Sequence, residues 1–188
     1  MSLPNRLTML RIVLAAAVFG ALMADEPGWH GAALVMFIVA IITDWLDGWL
    51  ARRMKAVSPF GKVADPIADK ILVIGTLIAL IRMKDLAVPL WAVFLIVIRE
   101  LVIGGVRVIA GAQGKVLSAD KWGKIKTAIQ LIAIMAMVGV VVLRDHALAQ
   151  PWMIKAVYPL TVLCAVLALS SLASYLSQYR AMLEKSWE

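Results

Sequence analysis

The sequence is short of charge. Asp, Glu, Lys and Arg make up 16% of its 188 residues while 63% are hydrophobic, against about 25% charged in an ordinary soluble domain. Too little polar surface remains to cover a globule in water, which excludes a soluble domain and points to a membrane. Cysteine is nearly absent as well. Cys164 is the only one, so no internal disulfide can form, and its place in an apolar run makes it a small buried hydrophobe. The two histidines, His30 and His146, fall in or beside loops and are expected to be solvated. No Gly/Ser-rich or Pro-rich linker divides the chain, and no repeat of roughly 20–50 residues stands out. A single domain over residues 1–188 is expected.

What is present is a series of apolar stretches, near 7–24, 29–50, 67–83, 88–110, 125–143 and 156–178. A helix crosses a bilayer with about 20 residues, so the expected fold is all-α, a polytopic membrane protein with six transmembrane helices. Several charge-free cores, such as Ile71 to Ile81, are too short to cross unaided. The turns that complete them carry Asp, Arg or Lys, which must face a polar cavity or the headgroups.

The net charge is +7, from 19 basic and 12 acidic side chains. In a six-span arrangement Arg82, Lys84, Arg144 and Lys155 fall on one side, Arg99 lies within the fourth span, and all other bases fall on the opposite side. The positive-inside rule then places both termini in the cytoplasm. These bases flank apolar spans, so their partners are anionic headgroups or phosphorylated substrates, and no nucleic acid is expected. Arg6 and Arg11 ahead of "IVLAAAVFGALMA" imitate a secretory leader, but no clean A-x-A site follows and the first helix is expected to stay. Trp29, Trp91 and Trp152 stand near span ends as interfacial anchors.

Against this apolar background the stretch "DWLDGWLARRMKAVSPFGKVADPIADK", beginning at Asp44, is anomalous. Residues three and four apart share a helix face, so Asp44, Asp47, Gly48 and Arg52 form one stripe and Asp65 and Asp69 another. Each acid costs about 2.5–3.5 kcal/mol near the centre of a membrane helix, and four close together repel. Divalent cations are the natural compensation. With no His or Cys nearby, hard oxygen ligands favour two Mg²⁺ or Mn²⁺ ions over zinc, the clamp that suits phosphoryl displacement. Gly48 would let a bulky group approach the helix, Gly61 would relieve crowding before Asp65, and Arg52 offers a bidentate fork to a diphosphate. Helix-end carboxylates neutralising the basic loop would account for one or two of these acids, less easily for four with a glycine near each pair.

The spacing Asp44-x2-Asp47-Gly48-x2-Ala51-Arg52-x8-Gly61-x3-Asp65-x3-Asp69 resembles the complete signature of the CDP-alcohol phosphotransferases, and no position departs from it. The resemblance implies a six-helix membrane enzyme, a homodimer, in which an alcohol displaces CMP from a CDP-linked substrate. It implies a binuclear metal site on Asp44, Asp47, Asp65 and Asp69 at the cytoplasmic edge of the membrane, with Asp69 also acting as general base. It lays the Pro4-Asn5 segment, and with it Thr8, over the cytidine, and brings Ser58 to the diphosphate. Read from local chemistry alone, Asn5 is an ordinary cap of the first helix.

The segments "LPNRLTMLRIVL", "TDWLDGWLARR", "FGKVADPIADK", "IRE" at 98–100 and "GKIKT" at 123–127 are similar to those of the bacterial branch that joins CDP-diacylglycerol to glycerol 3-phosphate. The implied location is the bacterial cytoplasmic (inner) membrane, the active site facing the cytoplasm, with membrane lipids as surroundings. Arg107, Lys124 and Lys126 lie at the cytoplasmic ends of the fourth and fifth spans, where they suit the acceptor phosphate or simple positive-inside anchoring. Inositol phosphate, phosphatidylglycerol or serine as acceptor, or a divalent-cation transporter, are the other readings. Adjacent residues on a helix point in different directions, so Arg99 and Glu100 are expected to need separate partners.

Overall fold

A computed structural model describes the backbone of residues 3–54, 59–112 and 121–184, and side-chain surroundings for 6–26, 28–46, 67–108, 110–111, 123 and 125–180. Six α-helices appear among these residues: α1 (Leu3–Met23), α2 (Pro27–Met54), α3 (Pro59–Arg82), α4 (Leu90–Ala112), α5 (Lys121–Asp145) and α6 (Pro151–Glu184). The apolar stretches and the helices correspond one to one, and no strand occurs among the described residues. Pro27, Pro59 and Pro151 each open a helix, the position where a missing N–H costs nothing. A short 3-10 turn, Lys84–Leu86, follows α3, and the buried Leu86 anchors it.

Four of the helices are long and apolar enough, among the described residues, to cross a membrane: Arg6–Met23, Gly28–Leu46, Ile125–Asp145 and Pro151–Arg180. Helices α3 and α4 fall short by their charge. The first carries Lys62, Asp65, Asp69, Lys70 and Arg82, the second Arg99, Glu100 and Arg107. The outward faces agree with a lipid surrounding. Val13, Val35, Phe94, Leu101, Val108 and Ile132 all stand open on helix surfaces, a density of exposed apolar side chains that is a liability in water.

The chain divides into two compact units, Met1–Ala87 with Ile134–Lys155, and Val88–Ala133 with Ala156–Glu188. In the first unit α1 packs against both α2 and α3. Its buried side recurs at helical spacing, Thr8, Arg11, Ala15, Val18 and Leu22, and Ala33, Phe37 and Ala40 of α2 and Ala68, Leu72, Thr76 and Leu77 of α3 are buried as well. Alanines at these contacts bring the backbones close. Beside Phe19 of α1, a side chain at Gly75 of α3 would meet the ring at 3.9 Å, so the two helices are near contact there.

The ends of these helices remote from Asp44 and Asp69 are tied by polar contacts. Arg82 donates to the Met23 carbonyl and lies 2.9 Å from Asp25. Arg144 pairs with Asp85 at 2.8 Å and with Asp145 at 2.8 Å. His30, expected in solvent, is instead buried at 5% exposure, with Nδ1 against the Asp145 carboxylate and Nε2 at 3.1 Å from the Ala24 carbonyl. The correction has a simple origin: four residues into α2, the ring turns inward where the end of α5 supplies an acid that sequence separation hid. His146 is exposed as expected. After α5 the chain turns through Ala147 at φ 58, with Leu148 N–H donating to Leu143 O and Ala147 N–H to Arg144 O, the paired bonds of a Schellman stop.

In the second unit Ile103, Val106 and Ala110 of α4 pack on Tyr175 of α6, with Leu172, Leu176 and Tyr179 beside them. The rings of Tyr175 and Tyr179 are tilted at 4.8 Å. Cys164 is a buried free thiol, as its apolar surroundings in sequence indicate.

Candidate active site

Helix α2 runs unbroken through Asp44, Asp47, Gly48 and Arg52, and α3 through Gly61, Asp65 and Asp69. The two acidic stripes read from residue spacing therefore lie on two separate helices of one unit, both packed on α1. Two of the four acids have described side chains, and they converge. Arg11 Nη1 lies 2.9 Å from Asp44 Oδ1 and 3.2 Å from Asp69 Oδ1. Oxygens that share one nitrogen at those distances can be no farther apart than the two contacts laid end to end. Asp44 and Asp69, 25 positions apart in sequence, are thus brought face to face.

Arg11 is fully buried, with its side chain 1% exposed, whereas those of Asp44 and Asp69 are 47% and 49% exposed. The carboxylates are therefore gripped from inside the unit and open on the other side. Oxygen donors on two helices, half open to the surroundings, suit a hard divalent cation. Asp47 and Asp65 lie on the same two helices but outside the residues whose side chains are described. Among the described residues no cluster of three ligating side chains forms.

The other expected site residues are placed unevenly. Thr8 is buried one turn before Arg11. Pro4 and Asn5 lie in the first turns of α1, Gly48 and Arg52 on α2, Gly61 on α3 and Lys124 on α5, with side-chain surroundings outside the described residues. Ser58 lies wholly outside them. Arg107 is exposed on α4.

Lys126 is not a free cation at a helix end. It is 3% exposed, and its Nζ donates to Glu100 Oε1 at 2.8 Å. Arg99 Nη1 donates to the same oxygen at 2.7 Å and Nη2 to Ser171 Oγ at 2.8 Å. Arg99 and Glu100 each find a partner of their own, Ser171 and Lys126, and they also bond each other, because both side chains are long enough to turn back although their Cβ atoms diverge. Lys126 and Ser171 also line a cavity of about 350 Å³ with Ile125, Ile129, Leu167 and Ser174. Glu100, its side chain 17% exposed, thus holds two buried basic side chains of this unit.

A family model described as CDP-alcohol phosphatidyltransferase matches residues 1–182. The chain belongs to that family. A CDP-diacylglycerol–glycerol-3-phosphate 3-phosphatidyltransferase of Bacillus subtilis (strain 168) is 40% identical over 148 residues, 72% of this chain and 76% of that protein. A protein of the same name from Cereibacter sphaeroides is 38% identical over 138 residues, 71% of this chain and 61% of its own length. A cardiolipin synthase (CMP-forming) of Oryza sativa is 33% identical over 199 residues, 98% of this chain and 59% of its own length. The chain thus spans less than two thirds of the latter two relatives.

Sequence reasoning passed over Arg11, counting it among the bases of one membrane side. The signal that would have found it is its position: a charge a full turn inside an apolar run must meet an opposite charge in the bundle, and the motif aspartates are the acids on the adjacent helices.

Proposed function

We propose that this chain transfers the phosphatidyl group from CDP-diacylglycerol to sn-glycerol 3-phosphate, giving phosphatidylglycerophosphate and CMP. The observation that carries the reading is the convergence of Asp44 and Asp69 on Arg11 in a chain of this family. The acceptor rests on the names of the Bacillus and Cereibacter relatives.

In this reading all six helices span the cytoplasmic membrane of a bacterium as a homodimer, both termini and the acids on the cytoplasmic side. Asp44, Asp47, Asp65 and Asp69 hold two Mg²⁺ or Mn²⁺ ions. When bound, the ions offset charge on the diphosphate and on the departing phosphate. Gly48 and Gly61 leave room for the nucleotide lipid, Pro4, Asn5 and Thr8 lie against its cytidine, and Arg52 and Ser58 contact its diphosphate. Arg107 and Lys124 receive the acceptor phosphate, while Lys126, buried on Glu100, is left out of that role.

Asp69 accepts the proton of the acceptor hydroxyl, whose oxygen then bonds to the β-phosphorus esterified to diacylglycerol. The bond from that phosphorus to the bridging oxygen breaks, and CMP leaves with the electron pair. A covalent enzyme intermediate is not required.

The similarity to a cardiolipin synthase favours one competing acceptor, phosphatidylglycerol. Purified protein supplied with CDP-diacylglycerol, Mn²⁺ and, in turn, glycerol 3-phosphate, phosphatidylglycerol, inositol phosphate or serine decides between them by CMP release. Release with glycerol 3-phosphate alone is the expected result. Release only with another acceptor would replace this substrate, and release with none would end the reading.

A further inference from the structure

Arg11 is, among the described residues, the largest of the fully buried side chains and lies inside a candidate membrane span, Arg6–Met23. An arginine at such a position persists only where the interior supplies acids for it. Here the acids are Asp44 and Asp69. We infer that Arg11 is a positioning residue for the metal site, holding these two carboxylates from inside the unit so that their open sides face the divalent cations. The inference rests on the metal reading given above.

The packing makes this contact possible. Ala15 lies one turn after Arg11, Ala40 one turn before Asp44 and Ala68 next to Asp69, and all three are buried. Small side chains at these points let α1 approach both neighbours closely enough for one guanidinium nitrogen to reach an oxygen on each. Larger residues at these buried positions would have to be accommodated by moving the helices that carry the 2.9 and 3.2 Å contacts.

The chemistry fits a supporting role rather than a competing one. Guanidinium is planar and permanently charged, so it offsets the repulsion between Asp44 and Asp69 before any metal arrives. A carboxylate has about four lone-pair sites and can share them between an inner hydrogen bond and an outer cation. Because Arg11 is buried while the aspartate side chains are half exposed, a cation arrives from the side away from the guanidinium. Groups that orient ligating carboxylates in this way typically govern about 10–100-fold in metal affinity.

The test is a Mn²⁺ titration of the purified full chain in detergent, free Mn²⁺ being read by electron paramagnetic resonance, with thermal unfolding of each variant recorded alongside. Wild type is expected to bind Mn²⁺ saturably, and Arg11→Ala roughly 10–100-fold more weakly with its helical content unchanged. Binding by Arg11→Ala as tight as wild type, or tighter, would overturn the inference, since Arg11 would then be a bystander or a repelling charge. Should Arg11→Ala not fold, Arg11→Lys carries the test, because it keeps the charge and loses the planar fork. Weaker Mn²⁺ binding by folded Arg11→Lys supports the positioning role, and wild-type affinity overturns it. Wild type that takes up no Mn²⁺ would instead sink the metal reading beneath it, a distinct result from unaltered affinity in the variants.

Discussion

Asp69→Asn is expected to reduce CMP release from CDP-diacylglycerol and glycerol 3-phosphate by about 10²–10⁴-fold, the contribution typical of a positioned general base. The substitution keeps the shape of the side chain and removes its capacity to take a proton. Its cost to the fold is small, because the Asp69 side chain is 49% exposed and an amide oxygen still accepts from Arg11. Thermal unfolding near that of wild type, together with the collapse in turnover, is the expected pair of results. Turnover retained with ordinary kinetics would remove Asp69 from the chemistry, whatever its place beside Asp44.

Glu100→Gln is expected to cost about 3–5 kcal/mol of stability, the usual penalty when one member of a buried ion pair is removed and its partner stays charged in the interior. Arg99 and Lys126 both depend on this acid. Their side chains are 8% and 3% exposed and that of Glu100 17%, so water cannot take over its role. Without the carboxylate two like charges face each other across the space it filled. Changing Lys126 to Met in the Glu100→Gln background is expected to recover part of the loss, since the two residues share one contact and their effects do not add. Unfolding of the detergent-solubilised variants by heat or denaturant measures both changes. A loss below about 1 kcal/mol, the size of an exposed pair, would mean that the network is open to solvent.

The helical layout was legible because a membrane helix writes its apolar length directly into the sequence. Each expected stretch became a helix, and Pro27, Pro59 and Pro151 marked three of the starts. The acid stripes were legible for a related reason. Spacings of three and four residues fix a shared face once a helix is assumed, and α2 and α3 are helical through Asp47 and Asp65.

The pairings were not legible, since spacing along one helix carries no information on which residues of another helix it meets. Arg11 reaches across 33 positions to Asp44 and 58 to Asp69. His30 meets Asp145 across 115 and Arg99 meets Ser171 across 72. The same limitation explains Lys126, which looked like a cytoplasmic anchor in "GKIKT" and is buried on Glu100. A basic residue at a span end has the same sequence signature whether it faces lipid phosphate or an interior acid. Only packing separates the two.

That paired aspartates on α2 and α3 hold divalent cations against a lipid-linked diphosphate is tested most directly by diffraction from crystals grown with Mn²⁺ and CDP-diacylglycerol, using the anomalous signal of manganese. Two anomalous peaks within about 2.0–2.3 Å of aspartate oxygens, as octahedral oxygen sites of this size require, with Asp44 and Asp69 among the ligands and the diphosphate beside them, are expected. A nucleotide lipid bound with no manganese at these acids, or manganese bound elsewhere in the chain, would contradict it.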